Sequence, residues 1–182
     1  MRVILLEVER DLEWEECKGY AELLSEDRKE KCIRYVHDEK KVISLLSSLL
    51  IQEKVGKGPK LEFRYNEYGK PYIVNGEDVY FSVSHSGKYI AFIQDISEVG
   101  IDIEEIKEFK IKVVGKFFTT EEKSFLSKIQ NNKEKLNIEG YKIWTQKEAY
   151  LKKIGTGFAN GGFKLNTLDI NIQQHINIRG FW

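Results

Sequence analysis

VGIDIEEI, residues 99–106, is the stretch on which the fold turns. Its apolar spacing reads as a β-strand, and successive strand side chains point to opposite faces. Val99, Ile101 and Ile103 then share one face, while Asp102 and Glu104 share the other. Two carboxylates aimed the same way either meet solvent from a half-exposed strand or gather a cation. The D-x-E pattern alone leaves both readings open.

The segments before it are strand-like too. VYFSVSH (79–85) and YIAFIQDI (89–96) alternate and are separated from their neighbours by Ser-Gly and Ser-Glu turns. Further upstream, VILLEV (3–8) and LEFRY (61–65) read as strands, and NEYGKP (66–71) and NGED (75–78) as turns. Helices are expected at 11–24 and at 42–56, with a helix-start signal at Ser25 followed by Glu26 and Asp27. Downstream, 109–118 suggests a short helix, and Thr119 with Glu122 forms a capping box. NNKEKLN (131–137) reads as a loop, Tyr141 to Ile154 as a helix, and GTGFANGG (155–162) as its breaker. Residues 162–170 and 175–182 are expected as closing strands. The sum is an α+β fold.

The 182 residues carry 29 Lys+Arg against 29 Asp+Glu, so charge balance gives no reason to expect nucleic acid or membrane as partner. Any anion site must be local. Cys17 and Cys32 are too few for a disulfide scaffold or a cysteine zinc site, and fit reduced thiols in a cytoplasmic protein. The first residues are too charged for a signal peptide, and no run reaches the roughly 18 apolar residues of a membrane helix.

YKIWTQKEAYLKKIG (141–155) supplies a second acidic position. On a helix Trp144, Glu148 and Lys152 share one side, with Lys147 a fraction of a turn away. A helix packed beside the sheet can bring Glu148 to Asp102 and Glu104. Three carboxylates together repel unless a cation neutralises them, and all-oxygen ligation suits Mg²⁺ with phosphate oxygens. Glu148 with Lys152 also reads as an ordinary surface pair. In SVSHSG (82–87), His85 stands beside a turn whose backbone N–H groups suit a phosphate.

Taken in order, RKEKCIRYVH (28–37), YGKP (68–71), FSVSHSG (81–87), VGIDIEEI, FFTTEE (117–122) and WTQKEAYLKKIGTG (144–157) resemble the 4′-phosphopantetheinyl transferases of the surfactin-synthetase-activating type. The resemblance implies two related α+β lobes, each a small antiparallel sheet packed with helices, with the site in the cleft between them. It divides this chain into an N-terminal lobe at 1–98 and a C-terminal lobe at 99–182. It implies transfer of the phosphopantetheine arm of coenzyme A to a serine of an acyl or peptidyl carrier protein, with Mg²⁺, releasing adenosine 3′,5′-bisphosphate. The implied metal ligands are Asp102, Glu104 and Glu148. The implied coenzyme A contacts are Arg28, Lys31, Tyr68, Gly69, Lys70, Pro71, Ser84, His85, Lys147 and Lys152. Glu148, Lys152 and Asp102 carry the chemistry, the base being Glu148 or a metal-bound water held by Asp102, with Glu148 favoured.

Carriers of this kind present an acidic helix, which Lys107, Lys110, Lys112 and Lys116, interleaved with Ile106, Phe109, Ile111, Val113 and Val114, suit by charge and apolarity. Three departures stand out. Ile43 occupies a place where the family has an arginine for the 3′-phosphate, with Lys40 or Lys41 nearby. Thr156 replaces a basic residue. The ending at Trp182 implies a C-terminal lobe with a short sheet, whose edge invites pairing in an otherwise monomeric chain. The competing reading is a non-catalytic module that binds coenzyme A or a carrier protein, its activity lost with the C-terminal strands. A metal-dependent phosphohydrolase is a third.

Overall fold

The computed structural model describes residues 1–9, 12–57, 60–76, 78–111, 115–160 and 164–169. Strand β1 (Arg2–Glu7) leads to a short helix α1 (Trp14–Cys17), a 3₁₀ segment Lys18–Leu23, α2 (Glu26–Ile33) and the long α3 (Asp38–Val55). Strands β2 (Phe63–Tyr65), β3 (Pro71–Ile73), β4 (Tyr80–Ser86) and β5 (Tyr89–Asp95) follow, and then α4 (Thr120–Ile129) and α5 (Lys133–Ile154). The architecture is α+β, with small antiparallel sheets packed with helices. Among the described residues no helix is long and apolar enough to cross a membrane.

One sheet has the order β1-β5-β4 and the other is the β2-β3 pair. In the larger sheet Ile4 pairs with Phe92 and Phe92 with Val83, while Leu6 pairs with Ile90 and Ile90 with His85. Paired residues share a face, so these side chains look one way, and Ile4, Leu6, Ile90, Phe92 and Val83 join Leu45, Ile51 and Val55 of α3 in the first core. The alternate positions Ser82, Ser84 and Ser86 look the other way. Phe109, Phe118, Leu126 and Ile143 form a second, separate core between α4, α5 and the chain that precedes them.

Several expectations need correction. Residues 99–106 form no regular strand. They lie across the serine face of β4, and the Ile101 and Glu105 N–H groups donate to Ser82 Oγ (3.2 Å) and Ser86 Oγ (3.0 Å). Hydroxyls take the place of a ladder. Residues 131–137 are largely helix, because the Asn132 side chain caps α5 by accepting from Lys135 N–H at 3.0 Å. The helix expected over 11–24 is one α-helical turn followed by a 3₁₀ segment, with Gly19 where a regular helix would continue. Helix α3 starts at Asp38, four residues before the predicted 42, where Asp38 and Glu39 suit the positive end of the helix. In the predicted strand 162–170, Thr167–Asp169 is a 3₁₀ turn. Lys112, Val113, Val114 and the closing strand at 175–182 fall outside the described residues.

Two glycines shape the packing around α5. A Cβ on Gly100 would collide with the Ala149 carbonyl oxygen of α5, so only glycine permits this approach of 99–106 to the helix. Gly155 ends α5 at φ 71°, a left-handed cap that glycine adopts without strain. The capping box of α4 forms as predicted, with Thr119 Oγ1 accepting from Glu122 N–H and Glu122 Oε2 from Thr119 N–H.

Candidate active site around Asp102

Strand β4 serves two neighbourhoods at once because its side chains alternate. On the serine face, Ser84 Oγ donates to Asp102 Oδ1 at 2.7 Å. Lys152 Nζ, arriving from α5, donates to the same oxygen at 2.6 Å and to Ser84 Oγ at 2.8 Å. Two residues along β4, Ser86 Oγ donates to Glu104 Oε2 at 3.0 Å. The segment 101–105 therefore runs in the direction of β4, each serine matched to a successive part of it.

The Asp102 side chain is 4% exposed and the Lys152 side chain 31%. Asp102 Oδ2 is buried and accepts no hydrogen bond. A buried carboxylate oxygen without a donor is costly unless something positive meets it. Glu148 and Glu104 are both half-buried. Burial raises the Glu148 carboxyl above the usual range, Asp102 and Glu104 add to the rise, and Lys152 opposes it. Burial also raises Glu104, with Asp102 adding to it, and hydrogen bonds from Ser86 and Trp144 oppose. The three acids thus feel one another's charge.

They do not close into a shell. Among the described residues, no three histidine, cysteine, aspartate or glutamate side chains are assembled tightly enough to enclose an ion. Three like charges hold apart, and the Lys152 ammonium sits on Asp102. The donor set nevertheless fits a hard divalent cation: it is all-oxygen, partly buried, and includes the partnerless Asp102 Oδ2.

The core face of β4 ends at His85. Its residue is exposed, yet the atoms crowded round the ring lower its pKa below the ordinary value, and the charges of Lys152, Lys31 and Lys40 lower it further. Lys31 of α2 is itself lowered by desolvation and then by the Arg28 charge. Arg28 is only 4% exposed, its guanidinium carbon 3.9 Å above the Phe63 ring, with Nε and Nη2 unpartnered. Lys31, Lys40 and Lys152 thus act on His85 at the end of β4, and Arg28 acts on Lys31. Ile43 is buried in the core, whereas Lys40, one helical turn earlier, is exposed.

The turn at 66–71 docks on the end of α5. Gly69 has φ 84°, and Asn66 Oδ1 accepts from Tyr68 N–H and Lys70 N–H at 3.0 and 2.8 Å. Asn66 Nδ2 donates to the Gly155 carbonyl at 2.7 Å, and Lys70 Nζ to the Lys153 carbonyl. A cation and an amide thereby satisfy the last carbonyls of the helix that carries Glu148 and Lys152. Lys70 and Pro71 also line a cavity of about 170 Å³ with Tyr72, Ile73 and Asp78 to Phe81.

Lys147 is not at this site. It is fully buried, as is Glu122, which its Nζ meets at 2.9 Å, and it also donates to the Leu165 carbonyl. Glu122 accepts further from Thr167 N–H and Oγ1 at 2.8 and 2.9 Å. The ammonium expected among coenzyme A contacts instead joins α4, α5 and residues 165–167, because it leaves α5 on the side facing α4. Phe109, expected on a docking surface, is buried between Phe118 and Tyr141, with ring centroids 5.9 and 5.4 Å away. Lys107 is exposed beside Glu105 at 2.7 Å. Ser86, Ser82 and Gly100 were not singled out from sequence. The alternation S-x-S-x-S was visible, but it reads equally as the solvent face of a strand.

The family model for the 4′-phosphopantetheinyl transferase superfamily matches residues 98–181. The chain is 28% identical over 179 residues to 4′-phosphopantetheinyl transferase Sfp of Bacillus subtilis, covering 96% of this chain and 78% of that protein. It is 31% identical over 162 residues to another 4′-phosphopantetheinyl transferase of Bacillus subtilis, covering 85% and 70%. It is 36% identical over 140 residues to 4′-phosphopantetheinyl transferase gsp of Aneurinibacillus migulanus, covering 74% and 57%.

Proposed function

The chain belongs to the 4′-phosphopantetheinyl transferase superfamily and is an enzyme of that class, and from this premise we propose that it moves the phosphopantetheine arm of coenzyme A onto a serine of an acyl or peptidyl carrier protein. The reaction is Mg²⁺-dependent and releases adenosine 3′,5′-bisphosphate. Asp102, Glu104 and Glu148 would hold the ion, which when bound would supply charge to neutralise the pyrophosphate. The observation that carries this reading is the buried, unpartnered Asp102 Oδ2 between a lysine and two further acids.

The protein's own residues do the rest. The carrier serine oxygen forms a bond to the pantetheine-side phosphorus, and the bond from that phosphorus to the bridging oxygen breaks. The electron pair goes to the departing nucleotide phosphate. Glu148, on the side of α5 that faces Asp102, takes the serine proton. Lys152 supplies positive charge where the leaving oxygen gains electrons. Arg28, Lys31 and His85 grip the 3′-phosphate, remote from the reacting bond, with Lys40 beside them. Tyr68, Gly69, Lys70 and Pro71 frame the adenine end, and Ser84 contacts coenzyme A from beside Lys152.

We assign residues 1–98 and 99–182 to two lobes, a division supported by the two separate cores. The carrier's acidic helix docks near Lys107, Lys110 and Lys116, and the cytoplasm, where carriers and coenzyme A meet, is the proposed compartment. Incubating the chain with coenzyme A, Mg²⁺ and several apo carriers, then weighing each carrier, tests the reading. A gain of one phosphopantetheine is expected, and carriers of unchanged mass throughout contradict it.

A further inference from the structure

Ser86 stands outside the residues assigned above, yet it uses both sides of its hydroxyl on one peptide unit of the acidic segment. The Oγ donates to Glu104 Oε2 at 3.0 Å and accepts from the Glu105 N–H at 3.0 Å. A side chain and the backbone next to it are thus fixed by a single atom. Ser84 and Ser86 are two apart on β4, as Asp102 and Glu104 are two apart on the segment above, and each serine holds the matching carboxylate. Same-face positions of a strand are about 6.6 Å apart along its axis. The pleat of β4 therefore sets the spacing of the two carboxylates.

Glu104 needs such a restraint. It belongs to no regular strand, and it faces the like charges of Asp102 and Glu148. Repulsion alone would swing it outward. The Trp144 indole also reaches it, but from α5, so Ser86 is its tie to the sheet. We propose that Ser86 is a positioning residue that holds the Glu104 carboxylate ready for the divalent cation, an inference that rests on the metal reading above. Hydrogen-bond partners behind a metal ligand commonly govern affinity by 10-fold or more.

The test is Mn²⁺ affinity by electron paramagnetic resonance on the full chain, without coenzyme A or carrier. Ser86→Ala is expected to bind about tenfold more weakly than the natural chain. Ser86→Thr, which keeps the hydroxyl, is expected to bind nearly as well. In a Glu104→Gln background the alanine change is expected to add no further loss, since it acts through Glu104. If Ser86→Ala does not fold, Ser86→Cys, somewhat larger but with a weaker donor and acceptor, takes its place, and the same loss is expected. Unchanged affinity in the alanine or cysteine variant, or losses that simply add in the double variant, overturns the proposal. A natural chain that binds no Mn²⁺ overturns the metal reading instead, and is told apart because the reference itself fails.

Discussion

Lys152 Nζ lies 2.6 Å from Asp102 Oδ1, joining helix α5 to the extended segment that follows the sheet. The lysine answers one oxygen of a buried carboxylate and leaves the other without a donor. In Lys152→Ala, Asp102 and its acidic neighbours lose the cation that balances them. We expect transfer to fall by at least 10²-fold. We also expect a lower melting temperature, and a larger recovery on adding Mg²⁺ than the natural chain shows. Melting curves with and without Mg²⁺ check the second point, and an unchanged Mg²⁺ response contradicts it.

Gly100 is a point of close approach between 99–106 and α5. Gly100→Ala places a methyl group against helix backbone, which cannot move aside as a side chain would. Overpacking of this kind costs about 1–3 kcal/mol. Chemical denaturation is expected to register that loss, and Mn²⁺ affinity is expected to drop because Asp102 is pushed from Glu148. A variant as stable and as metal-competent as the natural chain would show that the contact is unimportant.

Lys147 and Glu122 form a fully buried pair, so removing one partner leaves an uncompensated charge. Lys147→Ala is expected to destabilise the fold by about 3–5 kcal/mol. Because the ammonium lies away from Asp102, calorimetry on the folded fraction at low temperature is expected to find coenzyme A affinity little changed. A selective loss of affinity with full stability would return Lys147 to the coenzyme A contacts.

His85 gives the pH dependence. Its folded-state pKa lies below the ordinary value of 6.5 because of desolvation and then the neighbouring cations. The unfolded chain therefore binds this proton more tightly. The contribution to stability is fully present above 6.5 and is lost as pH falls through the folded-state value. Melting temperatures followed downward from about pH 7.5 should fall less steeply in His85→Gln. Adenosine 3′,5′-bisphosphate is expected to reduce the difference, since its phosphate favours the imidazolium. Identical slopes for both chains contradict this assignment.

How much of this was legible depended on how local each signal was. Alternation in 79–96 marked β4 and β5, the apolar run at 42–56 marked most of α3, and Thr119 with Glu122 marked the start of α4. The spacing of Trp144, Glu148 and Lys152 placed the last two on the helix side that meets Asp102. Long-range partners were hidden. Glu122 looked complete as a capping residue, and nothing nearby disclosed Lys147, 25 residues on, as its counter-ion. The serine row of β4 carries no local signal of the acidic segment that lies across it. That segment kept the apolar–acidic alternation of a strand while its N–H groups went to hydroxyls, a substitution that only the tertiary arrangement reveals.

The most direct measurement is the anomalous scattering of Mn²⁺ in crystals grown with coenzyme A. One ion is expected within about 2.2 Å of carboxylate oxygens from Asp102, Glu104 and Glu148, touching the pyrophosphate as well. An ion held by phosphate oxygens alone, with Glu148 turned out of the site, would contradict it.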